Sequence, residues 1–393
     1  MNFIPLSIPN FEGNERKYVD DAIDQGWVST GGAYINQLEK NMAAFLHTDE
    51  VAACQSGTSG LHLTLIDIGV TPNDMVIVPT LTFIAAVNPV RYQFAEPIFM
   101  DCDDSLCMDP VKLREFCGKE CTYHNNGLYH NVTGKHIKAI VVVHVFGNMA
   151  DMEAIMDIAE TYGVKVIEDA TEALGTKYTS GRFAGKYAGT IGDYGAYSFN
   201  GNKIITTGGG GAVTARNADT VKHIRYLSTQ SKDDPLFYVH NEIGYNYRMT
   251  NVQAALGVAQ LEELPEFINR KKTNYELYAG EFQNCPYCEL IEFREDTEAN
   301  KWFYSLKIDF SMFDISVKDL IGILQKKGIQ TRAIWSLIHH QIPYHNCIAY
   351  NIKKAEMFSA SILNIPCSTQ ITKEEIKYVA QQIKKVLGEH FHE

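Results

Sequence analysis

Apolar side chains recur every three to four positions along residues 14–25 and again along 34–46, the spacing of helices with one buried face. Short apolar runs follow at 51–54, 75–78 and 97–100, the second of them rich in β-branched residues, and these predict strands. Helical spacing returns at 61–68 and 82–92. The clearest unit joins an apolar strand at 139–143, an amphipathic helix at 152–162 and a second strand at 164–167. Such alternation predicts an α/β fold whose mostly parallel sheet is covered by helices on both faces. Ligands of such sheets gather at the carboxyl ends of the strands. That rule directs attention to Cys54-Gln55-Ser56-Gly57, to residues 144–147 and to Glu168-Asp169. A polar stretch at 117–136 reads as an excursion from the sheet, a hairpin, and 233–242 as an irregular segment. After Gln260 the pattern becomes a long helix at 264–282, a strand at 303–308 and helices at 317–327 and 373–387. We therefore expect a large domain over 1–262 and a smaller α+β domain over 263–393.

Composition changes this picture little. The chain has 393 residues, with 45% hydrophobic and 21% charged, as in ordinary globular proteins. No apolar run reaches the roughly 18 residues of a membrane helix, and the first residues lack a basic start and apolar stretch. The expectation is a cytoplasmic protein with no membrane partner. A net charge of −12 disfavours a nucleic-acid surface, while a local pocket can still hold a small anion. The nine cysteines form no framework. Cys285-Pro286-Tyr287-Cys288 has no second pair at zinc spacing, so we expect reduced thiols and no metal.

Three segments carry candidate chemistry. Gly57-Thr58-Ser59-Gly60 follows a strand and opens a helix, where free N–H groups and the helix dipole favour a phosphate; helix capping alone would also account for it. Asp169 ends an apolar strand at the site-forming edge, where it could hold a metal, act as a base, pair with a cation or simply cap a helix. Lys203 lies between the strand-like Tyr197-Ser198-Phe199 and the four glycines 208–211. A lysine desolvated there would be a nucleophile toward carbonyls; it could equally contact a phosphate or face solvent. Taken together, a phosphate cradle, a partner for a protonated ring nitrogen and an imine-forming amine are what pyridoxal phosphate requires. Phe83 offers an aromatic face for its ring.

These segments, with residues 143–147, Glu168-Asp169-Ala170-Thr171-Glu172-Ala173-Leu174-Gly175 and Gly244-Tyr245-Asn246-Tyr247-Arg248-Met249, resemble the DegT/StrS group of sugar-nucleotide aminotransferases. The resemblance spans residue 8 to the C-terminus and implies the aspartate-aminotransferase fold, type I of the pyridoxal-phosphate enzymes. It implies Lys203 as covalent anchor and proton shuttle, Asp169 on the ring nitrogen and Phe83 on the ring face. It places Gly57, Thr58, Ser59 and Ser198 on the phosphate, and Asn246 at the phosphate of a partner subunit, hence a homodimer with shared sites. Glu172 stands where many relatives have Gln near the cofactor hydroxyl. Trp27, Arg248 and His339 are the substrate-side candidates, with Leu337 where Pro is common. Trp27-Val28-Ser29-Thr30-Gly31, the 117–136 excursion and the run from Phe199 through the four glycines resemble the legionaminic-acid branch. That branch implies L-glutamate as donor and a UDP- or GDP-linked 4-keto-6-deoxy-N-acetylhexosamine as acceptor, giving a 4-amino sugar for surface glycans. The competing expectations are a sugar dehydratase, in which histidine replaces the lysine, and a non-catalytic regulator on the same fold.

Overall fold

A computed structural model describes residues 3–234 and 236–391. Two helices, α1 (Glu15–Asp24) and α2 (Ala33–Leu46), precede the first strand, β1 (Ala52–Cys54). Helix α3 (Gly57–Ile68) leads to β2 (Asp74–Pro79), a short helix α4 (Asn88–Tyr92) and β3 (Glu96–Met100). Then come α5 (Pro110–Lys119), the hairpin β4 (Cys121–His124) and β5 (Gly127–His130), and β6 (His136–Val143). Helix α6 (Met152–Tyr162) is followed by β7 (Lys165–Asp169), β8 (Lys177–Tyr178), β9 (Tyr194–Ser198), β10 (Gly211–Ala215) and α7 (Ala218–Ser228). The predicted helix at 82–92 is broken: Ile84–Ala86 is a 3-10 turn, and α4 starts only beside Pro89, which suits a first turn. Phe83 is left in extended backbone.

The large sheet has ten strands in the order β1-β10-β9-β7-β6-β2-β3, with Ile348–Tyr350 on the far edge and the β4–β5 hairpin attached to β6. From β9 to that edge every neighbouring pair is parallel, while β10 runs antiparallel to β9 and to β1. All six residues of β2 are buried, as expected for a strand covered on both faces. The architecture is that of the type I fold. No described helix is long and apolar enough to cross a membrane.

Helix α8 (Asn251–Phe282) opens with a capping box between Thr250 and Gln253 and continues through Pro265. The division we propose at 262/263 thus falls inside one helix. Beyond it lie β11 (Cys288–Leu290), β12 (Thr297–Glu298), β13 (Tyr304–Ile308), α9 (Val317–Lys326), β14 (Arg332–Ala333), β15 (Ile348–Tyr350), α10 (Lys354–Ser361), β16 (Ile362–Ile365) and α11 (Lys373–Glu389). Strands β11-β13-β16-β14 form an antiparallel sheet. The chain crosses the division in both directions: β15 joins the large sheet beside β3, and Ile4 bridges to Ile329. These crossings bring residues of the small sheet over the strand ends of the large one.

Candidate active site

A cavity of about 530 Å³ opens at the carboxyl ends of β6, β7 and β9, marked by Val143, Asp169 and Ser198. Trp302, Arg332, Trp335 and Asn364 line it from the C-terminal part. This is where a parallel sheet leaves strand termini unpaired and helix N-termini pointing inward.

At one wall, Ser56 caps α3. Its hydroxyl accepts the Ser59 N–H at 3.0 Å, and the Ser59 hydroxyl answers by accepting the Ser56 N–H at 3.1 Å. That closed box leaves the N–H groups of Gly57 and Thr58, and the hydroxyls of Thr58 and Ser198, without partners among the described residues. Gly57, Thr58 and Ser198 line the cavity; Ser59 does not, because the cap consumes its polar groups. A Cβ on Gly57 would come within 2.8 Å of the Ser198 Cβ and 2.9 Å of the Thr171 methyl. A Cβ on Gly211 would lie 2.6 Å from the Ser56 carbonyl carbon, so this glycine lets β10 sit against the helix start.

Strand alternation sends Glu168 and Asp169 to opposite faces of β7. Glu168 is fully buried and saturated: it meets His144 Nε2 at 2.8 Å and accepts the N–H groups of Gly189, Ile191 and Gly192. Asp169 lines the cavity and, among the described residues, its carboxylate accepts only the Thr171 N–H, at 3.1 Å. Burial pushes its carboxyl above the usual range, against the pull of Thr171, Lys203 and His144.

Lys203 shares that cavity with Asp169, its side chain 13% exposed. Its ammonium donates to Glu172 Oε1 at 3.2 Å and sits 4.1 Å from the Trp302 ring centroid, a cation–π distance. Glu172 also accepts the Phe146 N–H at 2.8 Å. Burial raises the Glu172 carboxyl, and the nearby Lys203 opposes the rise. Trp302 Nε1 donates to the Asn202 carbonyl at 2.8 Å, fixing the residue before Lys203. The buried Lys271 holds the Trp302 carbonyl at 2.8 Å. Nothing local in the sequence marks Trp302, because its contact with Lys203 spans about a hundred residues; Arg332 likewise carries no local signal.

Phe83 lines the cavity, 56% exposed. The remaining candidates lie elsewhere. Trp27 is exposed outside the lining, its carbonyl accepting from Asn251. Arg248 is buried against Glu39 and the Ala53 carbonyl, so it is committed to an internal ion pair instead of a substrate. His339 lies outside the lining with Nδ1 2.6 Å from the Thr80 hydroxyl, although Trp335 of the same segment does line the cavity. Asn246 is exposed outside this chain's cavity. The β4–β5 hairpin attaches to the starting residues of β6, His136 and Ile137, at the opposite end from the site.

This fold and cavity define a pyridoxal-phosphate enzyme of type I. The match to the DegT/DnrJ/EryC1/StrS aminotransferase family covers residues 9–384, and the chain belongs to that family. It is 33% identical over 385 residues to the GDP-perosamine synthase of Escherichia coli O157:H7, covering 98% of this chain and 99% of the relative. It is 34% identical over 394 residues to the GDP-perosamine synthase of Caulobacter vibrioides, covering 98% of each. A solved structure of DesI with its TDP-sugar product aligns with a TM-score of 0.86 at 26% identity, over 98% of this chain and 93% of that one. The protein is a pyridoxal-phosphate-dependent sugar aminotransferase. The residues present fit that cofactor: unpartnered N–H and hydroxyl donors surround a cradle that one extra carbon would fill, and a buried carboxylate and an amine face the same space.

Proposed function

We propose that the protein transfers the amino group of L-glutamate to the C4 ketone of a nucleotide-linked 4-keto-6-deoxyhexose, with the cofactor seated around Lys203. The reading rests on one observation: Lys203 and Asp169 line a single cavity whose wall is an open helix N-terminus. Gly57, Thr58 and Ser198 would hold the phosphate, Asp169 the ring nitrogen and Phe83 one ring face. When bound, pyridoxal phosphate supplies an aldehyde that carries the amino group and a protonated ring that stores the electron pair released at the substrate carbon. The Lys203 amine serves as covalent anchor and, once freed, takes a proton from one carbon and returns it to another. Asp169 keeps the ring nitrogen protonated, since its buried carboxylate needs a cationic partner. Glu172 receives the ammonium when Lys203 is displaced, and Trp302 covers its other side. Arg332, the one arginine among the described residues that line the cavity, suits an anionic group of either substrate.

We infer a homodimer in which Asn246 of each chain reaches the phosphate of the other site. For the carrier we favour GDP, because the two perosamine synthases are named for a GDP-linked product. The legionaminic-acid reading, with an N-acetylated acceptor on UDP or GDP, rests on Trp27-Val28-Ser29-Thr30-Gly31, the 117–136 hairpin and the run from Phe199 to Gly211. The first two lie outside the cavity, and the third surrounds Lys203 without naming a sugar. The dehydratase reading is disfavoured by a lysine at 203. The test is to offer GDP- and UDP-linked 4-keto-6-deoxy sugars, with and without an N-acetyl group, together with glutamate, and to identify products by mass and NMR. A 4-amino product on GDP is expected. Failure of every 4-keto sugar to be aminated overturns the reading.

A further inference from the structure

The Cys285-Pro286-Tyr287-Cys288 turn has no part in this chemistry, yet its geometry is not that of two idle thiols. The two Sγ atoms are 2.9 Å apart, the one sulfur–sulfur contact among the described residues. Seven of the nine cysteines are buried; Cys285 and Cys347 are partly exposed. Cys285 opens onto a surface cavity of about 570 Å³, walled by Lys307, Phe310 and Met357 and separate from the active site. The turn is anchored at both ends. Cys285 N–H donates to the Phe282 carbonyl at the end of α8, and Cys288 begins β11, paired with Ile308 of β13. Pro286 fixes the backbone between them, and Tyr287 packs on Phe313 and Phe391.

We propose that Cys285 and Cys288 form a thiol–disulfide exchange site for low-molecular-weight disulfides of the glutathione class. Cys285, as thiolate, attacks one sulfur of the incoming disulfide; that S–S bond breaks, and the first small thiol leaves with a proton. The Cys288 thiol then gives up its proton and attacks the Cys285 sulfur, releasing the second small thiol. The net reaction oxidises two protein thiols by two electrons and reduces one disulfide to two thiols. The two sulfurs are unlike, as attacking and resolving thiols should be. Contact with the Cys288 S–H, with Lys384 nearby, brings the Cys285 thiol down to about 6. The same contact and burial push Cys288 up. Cys347, the other accessible thiol, is raised by burial and does not share this character.

The test uses the holoenzyme, oxidised glutathione, alkylation of the remaining thiols and peptide mass mapping. The wild type should lose two alkylatable thiols and yield a Cys285–Cys288 peptide lighter by two hydrogens. Cys288→Ser should stop at a glutathionyl adduct on Cys285, and Cys285→Ser should form no adduct at residue 288 in the same time. Before oxidation, iodoacetamide at neutral pH should label Cys285 roughly tenfold faster than Cys347 in the native wild type. That comparison needs no variant. Turnover of both variants should match the wild type. Wild-type protein that keeps both thiols alkylatable after glutathione treatment, or labels Cys347 as fast as Cys285, overturns the proposal.

Discussion

Replacing Arg248 by alanine separates two accounts of that residue. The family resemblance suggests a substrate contact; the structure shows a side chain only 7% exposed, bound to Glu39 and to the Ala53 carbonyl. Glu39 also accepts the Ala53 N–H at 2.7 Å, and Arg225 Nε approaches it at 3.4 Å without hydrogen-bond geometry. Arg248→Ala would leave a buried carboxylate with one N–H and one offset cation. Breaking such a pair costs about 3–5 kcal/mol, and the residual Arg225 places the loss near the lower end. An unfolding entropy of about 2.1 cal/mol/K per residue gives about 0.8 kcal/mol/K for a chain of this length, so a 3 kcal/mol loss lowers Tm by roughly 4 °C. The double replacement Arg248→Met with Glu39→Gln removes both charges, keeps an acceptor for the Ala53 N–H and should recover part of that loss. Thermal melts of the holoenzyme, with KM for the keto sugar measured well below Tm, decide the matter. An unchanged melt with a tenfold rise in KM would refute the reasoning and return Arg248 to the substrate.

Other changes probe the cavity itself. Gly57→Ala puts a methyl against Ser198 and Thr171, an overpacking cost of about 1–3 kcal/mol. Titration of the apoprotein should therefore show cofactor affinity down by roughly tenfold or more, and unchanged affinity would contradict the cradle. Trp302→Phe loses the indole bond to Asn202, about 1 kcal/mol, and part of the cation–π contact; kcat/KM should fall roughly tenfold with full cofactor occupancy, and no change would refute a positioning role. Glu172 has a folded-state pKa raised above the ordinary value, chiefly by burial, so the folded apoprotein binds a proton more tightly than the unfolded chain. Its contribution therefore makes apoprotein stability fall as pH rises from near the ordinary glutamate value through the folded one. Glu172→Gln should flatten that fall, and melts across pH showing an unchanged slope would refute it.

The sequence was most legible where a local rule sufficed. The strand–helix alternation at 139–167 gave the parallel sheet, and the strand-end rule led to Asp169 and to the start of α3. It was least legible where a side chain's fate depends on distant partners. Ser59 reads like Thr58 until the Ser56 box is seen, and Arg248 sits in a strong motif yet pairs with Glu39, about two hundred positions away. Trp302 carries no local signal because only the return of the C-terminal part over the large sheet brings it to Lys203. The 82–92 helix failed for a smaller reason: the apolar spacing was right, but Pro89 made a new start possible and left Phe83 extended beside the cavity.

The direct test is to reconstitute the protein with pyridoxal phosphate, reduce it with borohydride and map the labelled peptide. We expect one phosphopyridoxyl group per chain, carried on Lys203, and none in Lys203→Ala. A label on another lysine, or no covalent label in an enzyme that still transaminates, would contradict the assignment of this cavity.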